Sequence, residues 1–463
     1  MDTKEFAKRR KTLMQMIGHN GIVILPAATE KTRNSDVHYR YRQDSDFHYL
    51  TGFPEPEAVA VLVPQGRSHK YILFCRDKDK VRETWDGRRA GQKGAIKDYA
   101  ADEAYSINKL DSHLSRLLGE YERVFYTMGK EPDFDHRIIN LVNAIKQNTK
   151  SGQHPPQEFV ALDHYLHDMR LFKSPAEIKV MKHSARIAVG AHKRAMQVVQ
   201  VGMNECEIEA EFVHEFKKHG ADISYSPIVG GGDNSCILHY NENNQILKDG
   251  DLLLIDAGCE YDLYASDITR TFPVNGKFSD TQRAIYDIVL SAQEAAFAAI
   301  KPGNSWIAPH EAAVKAVAKG LKKVGLLKGT LSEIIKSEAY FKFFMHKTGH
   351  WLGMDVHDVG DYKVEDHWRV LEPGMVLTVE PGIYIPAGSK GVAKKWWNIG
   401  VRIEDDVRVT RNGYEILSKG LPRSADDIEA LMAKGAAGRA KIPTVKSATS
   451  GSAKTKARRK KAA

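Results

Sequence analysis

Cysteine is scarce in this 463-residue chain, which has four: Cys75, Cys206, Cys236 and Cys259. They lie far apart and form no C-x-x-C pair, which excludes a disulfide-stapled scaffold and zinc-finger spacing. Long apolar runs are also missing. No segment approaches the roughly 20 apolar residues that span a bilayer. The opening stretch MDTKEFAKRRKTLMQMIGHNGIVILPA mixes acids with bases, and its apolar run is too short and interrupted for a secretory leader. These absences predict a protein of a reducing cytoplasm, without membrane attachment. Acidic residues are absent from Lys434 onward, where ten basic residues lie. The net charge is +9, so removing those ten leaves residues 1–433 nearly neutral, at −1. The same segment lacks aromatics and is rich in Ala, Gly, Ser and Thr, which predicts a basic disordered tail over 433–463. Its KARRKK run would attract nucleic acid or another anionic partner electrostatically. The composition favours a solvated tail that aids solubility.

What is present is an ordinary globular composition, 42% hydrophobic and 27% charged, enough to bury a sizeable core. The first part alternates helices and strands. KEFAKRRKTLMQMI has helical apolar spacing, and GIVILPA, AVAVLVP, KYILFC and RVFYTMG are short β-rich runs. Helical patterns are read near 104–118 and 134–147. Together they predict an α/β domain over 1–172. A new start follows at Ser174-Pro175-Ala176-Glu177, a capping box with Pro at the first helical position. A long helix to about residue 200 and a second over 204–218 are predicted. Beyond residue 221, short strands mix with helices near 280–301 and 310–325, which predicts an α+β domain over 173–432.

The segment LLLIDAGCEYDLYASDITRTF carries the first chemical signal. Folded as a hairpin with its turn between Tyr261 and Asp262, it sets Asp256 directly opposite Asp267. Opposed like charges destabilise a sheet, so such a pair calls for a shared proton or a cation. A shifted turn is the bland alternative. Three later segments add His346 and His350 with His357 following, Glu380 in LTVEPG, and Glu404 in GVRIEDD. A lone carboxylate in a β-rich run is costly to bury. Four carboxylates and one imidazole in one domain balance two divalent cations. An oxygen-rich set with no thiolate favours harder ions such as Mn, Co, Fe(II) or Mg. Arg402, two residues before Glu404 and on the same face of the predicted strand, is placed to brace one of these carboxylates. Gly230-Gly231-Gly232-Asp233 is read as a flexible turn beside His239, and His310-Glu311 lacks the second histidine of H-E-x-x-H.

The ordered set Asp256, Asp267, His350, Glu380 and Glu404 resembles the dinuclear metallopeptidases of the pita-bread fold. The wording ILHYNENN, IDAGCEYDLYASDITRTFP, HWLGMDVHD, EPGIYI and VRIEDD is similar to the aminopeptidase P family, as are RNSDVHYRYRQDSDFHYLTGFPEPEA, ETWDGRRAGQ and HDMRLFKSPAEI in the first domain. The resemblance covers about residues 1–430 and not the tail. It implies an α/β N-terminal domain followed by an α+β pita-bread catalytic domain. It further implies that Asp256 binds one metal, Asp267 and Glu404 bridge two, and His350 and Glu380 complete the second. Glu380 would handle the proton of the attacking water. His239 and His357 would donate to substrate and intermediate, with His346 beside the site. Asp36, Trp85 and Arg170 would shape the mouth. The implied cofactors are two divalent ions, manganese foremost, with Co2+, Fe2+ or Zn2+ also fitting. The implied reaction is release of an N-terminal residue when proline is second, by a metal-bridging hydroxide, in a homo-oligomer. A prolidase acting on Xaa-Pro dipeptides would share all five ligands. A non-catalytic peptide- or nucleic-acid-binding module on the same fold is the reading from another class. Shortening the chain after Ala430 is expected to leave turnover largely intact.

Overall fold

The computed structural model describes residues 1–66, 68–147 and 152–439. Its N-terminal part is a six-stranded mixed sheet in the spatial order Glu103–Ser106, Ser68–Cys75, Val59–Gln65, Gly21–Pro26, Arg123–Phe125, Glu158–Val160. Alternate residues of the central strands enter two separate cores. Ile22, Ile24, Val61 and Phe74 face one layer, and Val23, Leu25, Leu62 and Leu73 the other. Both faces are thus buried, which explains strands that read as nearly continuous apolar runs. The second layer does not stop at this sheet. It continues into Ile178, Met181, Tyr264, Leu352 and Val376 of the following domain, so the two parts share one apolar seam.

The predicted helix near 104–118 is half right. Residues Glu103–Ser106 form an edge strand parallel to Ser68–Cys75, and the helix begins at Leu110. Tyr105, with a helical-looking neighbourhood, stacks beside Phe74 instead, a tertiary contact that overrides local pattern.

After residue 172 the capping box is formed as expected: the Ser174 hydroxyl accepts from the Glu177 amide, and the Glu177 carboxylate accepts from the Ser174 amide. It opens the helix Pro175–Val198. Asn204 and Ser279 cap Glu205–Lys218 and Asp280–Ala299 the same way. With Ala308–Lys323 these helices cover the outside of strongly broken antiparallel strands. The strands are Ile228–Gly231, Leu252–Asp256 and Thr269–Pro273 in one sheet, Val376–Val379 with Asp405–Thr410 in another, and Gly382–Ile385 with Ile399–Arg402 in a third. The triple glycine is not a flexible turn. Gly230 and Gly231 are buried in a strand, and a Cβ on Gly230 would meet the Asn234 carbonyl oxygen at 2.8 Å.

The final helix, Ala425–Arg439, passes the boundary read at 433. Ile428 and Met432 are buried in the main core. A cut after Ala430 would therefore remove part of that core, and the tolerated cut lies after Arg439. The rest of the predicted basic tail lies outside the described residues.

One polar cluster ties the two domains together. Arg170 donates to Asp46 at 2.8 Å, Asp355 at 2.7 Å and Asp358 at 2.6 Å, and Lys173 reaches Asp358 at 2.8 Å. Burial opposes ionisation of Asp46 and Asp358, yet Arg170 with Lys130 holds Asp46, and Lys173 with Arg170 holds Asp358, below the usual carboxylate range. Removing one partner of such a pair strands the others. Asp358→Asn is expected to lower unfolding free energy by about 3–5 kcal/mol at pH 7. Folded values below unfolded ones mean the contribution is complete above about pH 4 and is lost as pH falls through the folded values. Urea unfolding of both proteins at pH 7 and pH 3 should show the gap and its narrowing.

Candidate metal centre

The hairpin carrying the two aspartates turns one residue later than predicted. Asp262 and Leu263 occupy the turn, both with positive φ of 51° and 62°, and Tyr261 pairs with Tyr264. Two successive left-handed residues are the signature of a tight hairpin turn that matches strand twist. Asp262 tolerates that conformation, and its carboxylate also pairs with the Met1 ammonium at 3.0 Å. Asp256 therefore faces Thr269, not Asp267. Moving a turn by one residue shifts the pairing by two, which preserves the face. Asp256 and Asp267 remain on one face as diagonal neighbours. The Tyr225 hydroxyl bridges them, 2.5 Å from Asp267. One phenolic proton serves two carboxylates here, so the pair still calls for further positive charge.

All four predicted carboxylates sit where strands stop. Asp256 ends its strand, Asp267 lies in the gap before Thr269, and Glu380 and Glu404 occupy the breaks after Val379 and Arg402. The expectation of glutamates inside continuous strands is corrected accordingly. At a break, backbone pairing switches partner. The Glu380 amide donates to Thr348 at 2.9 Å and the Glu404 amide to Thr269 at 3.1 Å. Gly349 permits the first of these approaches, since a Cβ there would lie 2.1 Å from the Thr378 carbonyl oxygen.

The five residues converge from four segments. His350 Nε2 is 3.3 Å from Asp267 and 3.8 Å from Glu380. Ligand atoms of Asp267, His350 and Glu404 all lie within 4.8 Å of one another. His350 Nδ1 donates to the Trp351 carbonyl at 2.9 Å, which leaves Nε2 as the free acceptor facing the carboxylates. Asp256, Asp267 and Glu404 are buried. Burial, then the neighbouring carboxylates, pushes Glu404 well above its usual range. Burial likewise raises Glu380 to about 7 despite His350 and Arg402. Burial disfavours the His350 imidazolium, but Asp267 and Glu380 outweigh it and lift the group to about 9. A site that raises acids and an imidazole together has an excess of negative charge, and a divalent cation set relieves it. The donor set fits hard or borderline divalent ions.

Arg402 is buried and donates to Asp256 at 2.6 Å, Tyr384 at 2.9 Å and Thr269 at 3.2 Å. It braces Asp256 as expected, although its strand ends at Arg402, so Glu404 is not on it. His346 lies directly beside the cluster, its Nδ1 3.8 Å from Glu380. Its Nε2 accepts from Tyr384 at 3.0 Å, its Nδ1 donates to the Lys347 carbonyl at 2.7 Å, and burial, with Arg402 next, holds it neutral down to about 4. His357 is exposed and packs edge-on against His350 with centroids 4.4 Å apart. His239 is exposed and close enough that its charge depresses both His346 and His357.

The mouth residues are scattered. Asp36 is exposed in the turn between Thr32–Asn34 and Val37–His38, and Trp85 is 81% exposed on Lys80–Asp86. Among the described residues no hydrogen bond or ion pair joins either to the cluster. Arg170 is buried in the inter-domain ion cluster, paired with Asp355 and Asp358 on the segment that carries His357. The reading also missed three groups. Tyr225 left no trace because a tyrosine in a β-rich run is unremarkable. Thr269, whose hydroxyl donates to Glu404 at 2.6 Å, is equally silent. Asp406, buried and accepting from the Asp267 amide at 3.1 Å, did leave one, as the third of three consecutive acids in a β-rich run.

Residues 179–411 match metallopeptidase family M24, and residues 6–126 match the N-terminal domain of aminopeptidase P. The Xaa-Pro aminopeptidase of Escherichia coli (strain K12) is 44% identical over 431 residues, covering 93% of this chain and 97% of that protein. Xaa-Pro aminopeptidase 3 of Homo sapiens is 38% identical over 441 residues, 92% of this chain and 85% of that protein. Among solved structures, aminopeptidase PepP of Pseudomonas aeruginosa superposes with a TM-score of 0.93 at 56% identity, covering 94% of this chain and 99% of that one. A zinc-substituted aminopeptidase P of E. coli in complex with product gives 0.92 at 43% identity, with 94% and 99% covered. The architecture is the expected one, an α/β domain followed by an α+β pita-bread domain.

Proposed function

This chain belongs to metallopeptidase family M24, with the N-terminal domain of aminopeptidase P in front, and from that premise we propose that it is an Xaa-Pro aminopeptidase, a hydrolase releasing the first residue of peptides with proline second. The observation that carries the proposal is the convergence of Asp256, Asp267, His350, Glu380 and Glu404 in one buried cleft. Asp256, Asp267, His350, Glu380 and Glu404 would hold two divalent ions, with Asp256 serving one, His350 and Glu380 the other, and Asp267 and Glu404 available to both. Manganese suits four carboxylates with one imidazole, with cobalt, iron(II) and zinc as competitors. The bound ions supply an acidified water and polarise the substrate carbonyl.

The remaining work falls to the chain. Glu380, raised to about 7, is poised to take and return a proton near neutral pH. His357 and His239 are exposed beside the cleft and free to donate to the scissile carbonyl and the departing chain. Arg402 neutralises Asp256 and fixes its orientation. An Xaa-Pro bond is a tertiary amide without N–H, so recognition relies on carbonyl contacts and room for the pyrrolidine ring. No described helix is long and apolar enough to cross a membrane, and the four cysteines are unpaired. The free cysteines support a reducing cytoplasm as the working compartment, and the family supports a homo-oligomer. Turnover of Xaa-Pro-Yaa peptides by manganese-loaded protein, compared with Xaa-Pro dipeptides, tests the assignment. Faster release from the longer peptides is expected. A strict preference for dipeptides would make the chain a prolidase.

A further inference from the structure

We propose that the cavity behind the His350–Glu380 segment binds a small planar aromatic carboxylate. The cavity measures about 510 Å3, a size that encloses a small molecule. It opens between the start of helix Ala308–Lys323, the loop Lys347–Gly349 and the hairpin Lys363–Trp368. Four rings line it, Trp306, Tyr362, Trp368 and the imidazole of His310, whose Nδ1 is tied to the Thr348 hydroxyl at 2.8 Å. Two of the rings are fixed from behind. Trp306 and Tyr362 pack on the fully buried Trp351 with centroids 4.0 Å and 5.6 Å away, and on each other at 4.8 Å. Walls already ordered by packing cost little entropy when a flat ligand enters.

The charge around the cavity has one sign. Lys347 and Lys363 line it, both exposed, and no carboxylate does. Among the described residues neither lysine forms an ion pair. The Lys363 ammonium sits 4.7 Å over the Trp368 ring centroid, which keeps a cation at the edge of the apolar wall. A ring with a carboxylate side arm satisfies both features, with the ring between indoles and the anion at the lysines. Neutral apolar compounds would leave the lysines unused, and a large anion would leave the walls wet.

This site is separate from the candidate metal centre but shares a wall with it. None of Asp256, Asp267 and Glu404 lines the cavity, whereas Thr348 and Thr378 do. The Thr348 carbonyl accepts from the Glu380 amide at 2.9 Å, and the Thr378 hydroxyl accepts from the His350 amide at 3.1 Å. The Tyr362 hydroxyl accepts from the Trp351 amide at 3.1 Å. A bound ligand thus leans on the backbone that carries His350 and Glu380, without touching the carboxylates themselves.

Isothermal titration of the full-length, metal-loaded protein with indole-3-acetate tests the proposal. Saturable one-to-one binding is expected. Trp368→Ala should weaken it by about tenfold, the effect of removing an aromatic anchor. The neutral indole-3-acetamide should bind about fivefold more weakly than the acid, as for an exposed ion pair. That preference should vanish in Lys347→Ala/Lys363→Ala, two surface changes that do not threaten folding. Stripping the metal with a chelator should leave the affinity unchanged, because the carboxylate does not sit on the ions. Loss of binding on chelation, equal affinity for acid and amide, or full affinity in Trp368→Ala would each overturn the assignment.

Discussion

Asp267→Ala is expected to abolish peptide turnover while leaving the fold intact. Asp267 is in direct contact with other groups of the site. It faces His350 at 3.3 Å and Tyr225 at 2.5 Å, and its ligand atom lies within 4.8 Å of those of His350 and Glu404. On the proposed assignment, losing it would remove a ligand serving both ions, so both should leave or shift. A drop in kcat/KM of about a thousandfold or more is anticipated, or roughly 4 kcal/mol of transition-state stabilisation. Stability should move the other way. The carboxylate is buried beside Asp256, Glu404 and Asp406, each pushed upward in pKa by burial and by the charge of Asp267, although His350 and Tyr225 hold Asp267 itself low. Deleting one member relieves that repulsion, the usual trade between activity and stability at a charged site. The metal-free variant should therefore melt no lower than the metal-free parent. Metal content per chain, kcat/KM on an Xaa-Pro-Yaa peptide and melting of the stripped proteins check each part. Near-normal turnover would remove Asp267 from the mechanism.

The second large effect is that of the metal itself. Exhaustive chelation should eliminate turnover, and added Mn2+ should restore it. The stripped and loaded proteins should also respond oppositely to pH. In the stripped chain, Glu380 has a folded value of about 7 and His350 about 9, both above their unfolded values. Groups raised on folding contribute stability that is complete below the unfolded value and is lost as pH rises through the folded one. The stripped chain should thus lose stability between about pH 5 and pH 9. Metal binding needs the same groups deprotonated, so metal affinity should strengthen over that range and fall as pH drops below about 7. At a metal concentration a thousandfold above its Kd, binding adds about 4 kcal/mol to stability. Thermal melts at pH 5.5, 7 and 8.5, with and without Mn2+, should lie close together at the lowest pH and diverge as pH rises. Turnover that survives complete metal removal would reject the family mechanism for this chain.

The amino-acid sequence by itself determined which residue types are available to the site and the elements that present them. Capping boxes at Ser174, Asn204 and Ser279 are local, each closed within three residues. The side-chain period of two put Asp256 and Asp267 on one face for a two-residue turn at either position, because moving such a turn by one residue shifts the pairing by two. Those properties depend on neighbours in the chain, so they are legible without the fold. Tertiary structure decided the rest. Arg402 meets Asp256 across 146 positions, and Thr269 meets Glu404 across 135. Tyr225 bridges two aspartates, Arg170 turns inward to join two domains, and the strands break where Glu380 and Glu404 need to face inward. No local pattern encodes these, because the forces that select them are burial and the neutralisation of charge at short range. Such forces act only once distant segments have been packed together.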